Sequence, residues 1–129
     1  MDKSADYINM CEQAVEIQKK WVSELGDFYT TNVSIGMEEY NTYVFMGLLD
    51  EGFIWLPRQD QLQDMLREKY PNHYMFLKDM IIGFRNWFFE EDLFMGMEHF
   101  DSMEQLWLAY VMHELYSKQW SGTEWVLKK

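Results

Sequence analysis

The sequence has one cysteine, two prolines and no long hydrophobic run among its 129 residues. Because Cys11 alone cannot form an internal disulfide, the disulfide-rich secreted class is excluded and a reducing compartment is indicated. No apolar stretch reaches the roughly 18 residues that a membrane-spanning helix needs. The opening residues carry acidic side chains and no apolar segment, so we expect no signal peptide. These absences predict a cytoplasmic protein that does not associate with a membrane.

Basic residues are also scarce, since 11 Lys and Arg stand against 22 Asp and Glu and give a formal net charge of −11. No Lys or Arg lies between Trp21 and Pro57 or between Asn86 and Ser117, although both stretches hold several acids. A charge of this sign repels phosphate backbones and anionic lipids, which disfavours direct binding of nucleic acid. The two acidic blocks are either solvated surface or rows of carboxylates that mimic DNA phosphates.

Apolar side chains, by contrast, are abundant: 48% of the residues are hydrophobic and 18% are aromatic, with 11 Met and 6 Trp. This content is enough for a hydrophobic core, so the chain does not belong to the intrinsically disordered class. Thioethers and flat rings fill cores, and they also suit adaptable surfaces that contact other proteins. Composition therefore predicts a globular domain with either a large core or an apolar interface.

The spacing of the apolar residues predicts one mostly α-helical domain over residues 1–129, with about five helices. The predicted helices are 4–25, 34–49, 57–70, 73–89 and 101–117. A short extended segment at 53–56 and an aromatic C-terminal turn between Trp120 and Trp125 complete the prediction. The second helix leaves an alternative open, because Tyr43–Phe45 would also suit a strand. The fourth and fifth helices are apolar nearly all round, which predicts that both are buried inside the domain or against a partner.

Local signals mark the helix ends. Ser4 is a plausible N-cap of the first helix, and Gly26 suits its C-terminal end. Asp101 and Ser102 provide overlapping capping boxes before the fifth helix. These residue types predict boundaries because they satisfy the backbone groups that a helix end leaves without partners.

The sequence contains no recognised catalytic or metal-binding motif. None of the three histidines follows the Glu-x-x-His or His-x-x-x-His spacing, and one cysteine cannot build a structural zinc site. Glu98, His99 and Asp101 stand close together, but acids before a helix are explained by capping. No Gly-x-Ser-x-Gly elbow or phosphate-binding loop is present, and Cys11 lies on an apolar stripe. We therefore predict no catalytic residues, no metal and no cofactor.

The most distinctive stretch runs from residue 55 to residue 63, where a Trp and a Pro lead into polar residues that open a helix. The predicted ligand- or partner-binding residues are Trp55, Arg58, Gln59, Asp60 and Gln61. An Arg fork and amide donors beside a helix N-terminus suit a carboxylate, a phosphate or a peptide. A structural explanation stays open, because Pro57 suits the first helical position and Asp60 complements the helix dipole.

Three stretches, WLPRQDQLQ (55–63), SMEQLWLAYVM (102–112) and the closing residues 120–125, resemble small uncharacterised proteins of bacteriophage and prophage genomes. The resemblance implies a small accessory protein in a bacterial cytoplasm. It identifies no catalytic or binding residue in this chain.

Our leading functional hypothesis is a non-enzymatic, acidic interaction module that binds a protein partner or a second copy of itself, as a dimer, through an aromatic- and Met-rich surface. Mimicry of DNA is a sharper version of the same hypothesis. The alternative is a small-ligand-binding protein or an enzyme with a pocket around Trp55, Arg58, Gln59 and Asp60.

Overall fold

The computed structural model describes residues 1–31, 41–44, 52–90 and 100–128, of which 41–44 are described by their backbone alone. Within these ranges the chain is a mixed α/β structure with five α-helices and five strands. The prediction of a mostly helical, all-α fold is therefore wrong. The chain divides into two compact units, Met1–Arg58 and Gln59–Lys129. A single domain over 1–129 stays a prediction.

The first unit begins with two short helices, α1 (Ala5–Gln13) and α2 (Val15–Lys19). Ser4 caps α1 as predicted, since its Oγ accepts the Tyr7 backbone N–H at 3.2 Å. The single helix predicted over 4–25 is wrong, because Ala14 leaves helical geometry with ψ of 69° and α2 ends at Lys19. Gly26 does have a positive φ, of 95°, but it lies beyond the helix.

Three strands form an antiparallel sheet in the order β2-β1-β3. The strands are β1 (Phe28–Thr31), β2 (Asn41–Val44) and β3 (Phe53–Leu56). The extended segment predicted at 53–56 is thereby confirmed. The helix predicted over 34–49 is wrong at 41–44, where the strand alternative holds for Tyr43 and Val44, and the rest of it lies outside the described residues. Tyr29 of β1 stands opposite Tyr43 and Trp55.

Helices dominate the second unit. Its elements are α3 (Gln59–Met65), a 3-10 turn (Leu66–Glu68), α4 (Phe76–Glu90) and α5 (Met103–Tyr116). The predicted helices at 57–70, 73–89 and 101–117 are thus confirmed to within a few residues. Ser102 caps α5, because its Oγ accepts the Gln105 backbone N–H at 3.1 Å. Glu90, the first residue of the loop predicted over 90–100, is the last residue of α4. Residues 91–99 of this loop lie outside the described residues.

The C-terminal aromatic turn is a β-hairpin of β4 (Lys118–Trp120) and β5 (Trp125–Leu127). Trp120 stands opposite Trp125, and their ring centroids are 5.0 Å apart. The turn between the tryptophans was predicted, but its two strands were not. Across the described ranges, no helix has both the length and the apolar composition to cross a membrane.

Candidate functional site

The five residues predicted as a binding site are divided between the two units. Trp55 and Arg58 belong to the first unit, whereas Gln59, Asp60 and Gln61 form the first turn of α3 in the second. Trp55 is buried and Asp60 is exposed, while the other three are partly exposed. The helix begins at Gln59, two residues after Pro57. Pro57 is therefore not the first residue of the helix, which is the position that the sequence analysis predicts for it.

Trp55 is built into the packing of the first unit. Its ring stacks on Trp21 with a centroid separation of 6.0 Å and an interplanar angle of 3°. Its backbone N–H donates to Gln18 Oε1 at 2.9 Å, and its carbonyl accepts from Gln18 Nε2 at 2.9 Å. Its indole Nε1 is buried with no hydrogen-bond partner among the described residues. The side chain therefore acts in packing, and its N–H is not accessible to a ligand from solvent.

Arg58 stabilises a buried carboxylate of its own unit. Its Nη1 lies 3.2 Å from the Gly26 carbonyl oxygen and 3.5 Å from Asp27 Oδ1. Asp27 is only 2% exposed, and its Oδ2 accepts the Trp21 Nε1–H and the Glu24 backbone N–H, both at 2.9 Å. A buried carboxylate needs such partners because it has lost its hydration. The guanidinium thus has a structural role in its own unit, whereas the sequence analysis predicts that it binds a ligand or a partner.

The structure describes six of the thirteen acids in the two acidic blocks. Asp27 is buried, Glu104 and Glu114 are partly exposed, and Glu24, Glu90 and Asp101 are exposed. The other seven acids of the two blocks lie outside the described residues: Glu38, Glu39, Asp50, Glu51, Glu91, Asp92 and Glu98. A DNA-like row of carboxylates stays a prediction, and Asp27 cannot take part in it because it does not reach the surface.

The second unit contains a pair of phenols in contact, of which Tyr110 is buried and Tyr70 is partly exposed. Tyr70 Oη and Tyr110 Oη lie 2.6 Å apart, and a Cβ added to Gly83 would collide with both oxygens. Burial raises the pKa of Tyr110 far above its usual value, the hydrogen bond to Tyr70 and nearby Glu114 raise it further, and burial also raises the pKa of Tyr70. Both phenols therefore stay protonated near neutral pH and are poor proton acceptors there.

Other candidate chemical groups are also unsuited to catalysis in the described structure. Cys11 has no solvent exposure, and burial raises the pKa of its thiol, so a reactive thiolate does not form. No group of three His, Cys, Asp or Glu side chains within the described ranges stands close enough to hold a metal ion. His99 and Glu98 lie outside those ranges, so their pairing with Asp101 stays untested.

One side of α4 exposes several large apolar side chains, and we name it the α4 outer face. Its apolar members are Leu77, Ile81, Ile82 and Phe89, which are 65%, 57%, 46% and 56% exposed. Its basic members, Lys78 and Arg85, are exposed as well. The opposite side of α4 carries Phe76, Met80 and Trp87, which are buried. Burial inside the domain therefore does not hold for the α4 outer face, and burial of this face against a partner stays a prediction.

The sequence analysis does not predict the α4 outer face, because α4 has apolar residues on both sides and composition does not distinguish a buried side from an exposed one. The available signal was the position of Lys78 and Arg85, since two bases on one side of a helix mark the side that faces water. By contrast, α5 is buried over most of its circumference, as predicted. No protein-family model, no curated protein and no solved structure matches this chain.

Proposed function

We propose that this protein is a non-enzymatic, acidic interaction module that binds another protein through the α4 outer face. One observation carries the proposal, namely the exposure of Leu77, Ile81 and Ile82 on a single helix. Single exposed apolar residues are ordinary, but several on one helix face are typical of an interaction surface. Burying a large aliphatic side chain completely contributes about 1.5 to 3 kcal/mol, so covering even part of three is favourable.

The spacing of these residues matches the way helices contact partners. Leu77 and Ile81 are four residues apart, and Ile82 and Phe89 are seven apart, so each pair lies along the same side of α4. Partners recognise helices through anchors at such intervals. The Phe89 ring adds aromatic area, and aromatic side chains are enriched at interfaces. The α4 outer face thus has both the residue types and the periodicity of a helix-mediated contact.

The proposal also includes a place of action, a bacterial cytoplasm, and a role as a phage- or prophage-type accessory protein. The support is the resemblance of residues 55–63, 102–112 and 120–125 to proteins of such genomes. A single cysteine, which cannot form an internal disulfide, is typical of a reducing compartment. The genes that flank the coding sequence provide the test: phage structural or replication genes would support this part, and a conserved metabolic operon would contradict it.

Site-specific photo-crosslinking in the producing cells tests the interaction itself. Leu77 and Ile81 are replaced in turn by p-benzoylphenylalanine, and Gln119, an exposed residue of β4, is the control position. We expect the two α4 positions to capture the same protein and the control position not to capture it. Ile82→Asp should abolish capture from Leu77, because a carboxylate cannot be buried without a partner.

The control for folding is the circular dichroism of Ile82→Asp, which should match the parent since Ile82 is 46% exposed. Capture of a second copy would still support an interaction module. Equal capture from Gln119, or no capture from either α4 position, contradicts the proposed function.

A further inference from the structure

We infer that the α4 outer face binds an amphipathic helix of another protein, one whose apolar side is flanked by Asp or Glu. This inference rests on the proposed function and names the chemistry of the partner. Its basis is the placement of Lys78 and Arg85 on the α4 outer face. Both are exposed bases on a chain whose net charge is −11.

The two bases lie inside the apolar surface and not at its margin. With about 100° between successive helical residues, and Leu77 set at zero, Ile81 lies at about 40° and Ile82 at about 140°. Arg85 lies at about 80° and Lys78 at about 100°, midway between the two isoleucines. The two acids of α4, Asp79 and Glu90, lie at about 200° and 220°, outside the α4 outer face. A partner that covers the isoleucines must therefore also meet both bases.

Neither base is neutralised within the described structure. Arg58, Arg67 and Lys69 each have a carboxylate partner, at 3.5, 2.6 and 3.6 Å. Lys78 and Arg85 have no such carboxylate among the described residues. The Arg85 guanidinium instead lies over the Phe89 ring, 5.3 Å from its centroid. Burying an unpaired base is costly, so a partner must bring carboxylates to this surface.

Charge also disfavours two other partners of the α4 outer face, a second copy of this chain and an anionic membrane. Two copies joined by this face would bring four bases together at the centre of the contact, in addition to the repulsion between two chains of −11. An anionic membrane would attract the two bases, but it would repel the whole chain, whose net charge is −11. A partner with local carboxylates on a helix satisfies both the apolar residues and the bases.

Binding of three designed peptides to the full chain tests the inference. Each is a fluorescein-labelled helix of about 15 residues, the length at which an isolated helix becomes stable. All three have leucines at the same i, i+3, i+4 and i+7 positions, and the flanking positions are Glu, Gln or Lys. We expect the Glu peptide to bind at least about fivefold more tightly than the Gln peptide in fluorescence anisotropy, because each of two exposed ion pairs contributes about 0.5 kcal/mol.

Charge-reversed variants locate the effect. Lys78→Glu and Arg85→Glu should each lower the affinity for the Glu peptide about fivefold, because each removes an ion pair and creates a pair of like charges. For the opposite reason, each should raise the affinity for the Lys peptide. Lys19→Glu is the matched control, since it changes the net charge equally at an exposed helical residue of the first unit. It should leave both affinities within about twofold, because it changes the net charge without changing any residue of the α4 outer face.

The outcomes separate this inference from the proposed function. Equal affinity for the Glu and Gln peptides, or an equal effect of Lys19→Glu, overturns the acidic partner even if crosslinking from Leu77 captures a protein. Concentration-dependent dimerisation in sedimentation, lost on Ile81→Asp, assigns the face to a second copy and overturns it too. So does binding to vesicles of phosphatidylserine without binding to the Glu peptide. Failure of all crosslinking contradicts the proposed function itself.

Discussion

A single glycine decides how closely α4 approaches the phenol pair of Tyr70 and Tyr110. Gly83 has no side chain where the hydroxyls of Tyr70 and Tyr110 meet, and those hydroxyls are hydrogen-bonded to each other at 2.6 Å. Any Cβ at this position would collide with both oxygens. The phenol pair therefore requires glycine at position 83, although glycine is unfavourable inside a helix.

Gly83→Ala should destabilise the protein by about 1 to 3 kcal/mol, because the methyl group forces the packed phenols apart. The free energy of unfolding, measured by urea titration, checks this value. Asn86→Ala, an exposed position of the same helix, is the control and should change stability by less than about 0.5 kcal/mol. In a Tyr70→Phe background the penalty of Gly83→Ala should shrink, since one hydroxyl is gone. Alanine is normally better than glycine in a helix by about 1 kcal/mol, so a stabilising result would contradict the clash.

At the scale of elements, the Gln18 side chain hydrogen-bonds the backbone of β3 on the side of that strand away from β1. β3 pairs with β1 along one edge, and Gln18 of α2 occupies the other. Its amide exchanges two hydrogen bonds with the backbone of Trp55, and its Nε2 also donates to the Cys11 carbonyl at 3.1 Å. The bond to Cys11 satisfies a carbonyl near the helix break at Ala14, so one residue supports both elements.

Gln18→Ala should cost about 2 to 3 kcal/mol of stability, since three hydrogen bonds contribute about 1 kcal/mol each and the buried backbone groups lose their partners. Hydrogen exchange of the Trp55 amide should accelerate in parallel. Gln13→Ala, at an exposed position of α1, is the matched control and should have little effect. If Trp55 exchanges at the parent rate in Gln18→Ala, the amide does not protect this edge.

Stability of the whole molecule should fall as the pH rises into the alkaline range. In the folded state the pKa values of Cys11, Tyr70 and Tyr110 are raised by burial, whereas the unfolded chain ionises these groups at their usual values. A raised folded-state pKa gives stability that is complete below the unfolded pKa and is lost as the pH climbs above it. The loss should therefore begin near pH 9 for the thiol and near pH 10 for the phenols.

Tyr110→Phe tests this linkage. Each group that ionises only on unfolding lowers the free energy of unfolding by about 1.4 kcal/mol per pH unit, and the variant lacks one such group. Urea titrations between pH 8 and 11 should therefore show a shallower decline for Tyr110→Phe than for the parent, whatever their stabilities at neutral pH. Parallel declines would show that Tyr110 ionises alike in both states.

The sequence by itself determined the ends of several elements through local signals, and its composition determined that the chain can form a hydrophobic core. The N-caps Ser4 and Ser102, the extended segment at 53–56 and the turn before Trp125 were all predictable, because each depends on neighbours within a few residues. The break at Ala14 was not, because a continuous apolar pattern runs through it. It is accompanied by the bond from Gln18 to Cys11, which no periodicity describes.

The tertiary structure decided which long-range partners these residues meet. Arg58 pairs with Asp27, 31 positions earlier, and Trp55 pairs with Gln18, 37 positions earlier, so local pattern could not assign either role. Asn41–Val44 likewise pairs with β1 as a strand, although the sequence pattern predicts a helix there. The sequence alone determined that α4 is apolar on both sides. Lys78 and Arg85 indicate the side that faces water, whereas packing decided which apolar residues of the other side are buried, because hydrophobicity is non-directional and the neighbouring elements select them.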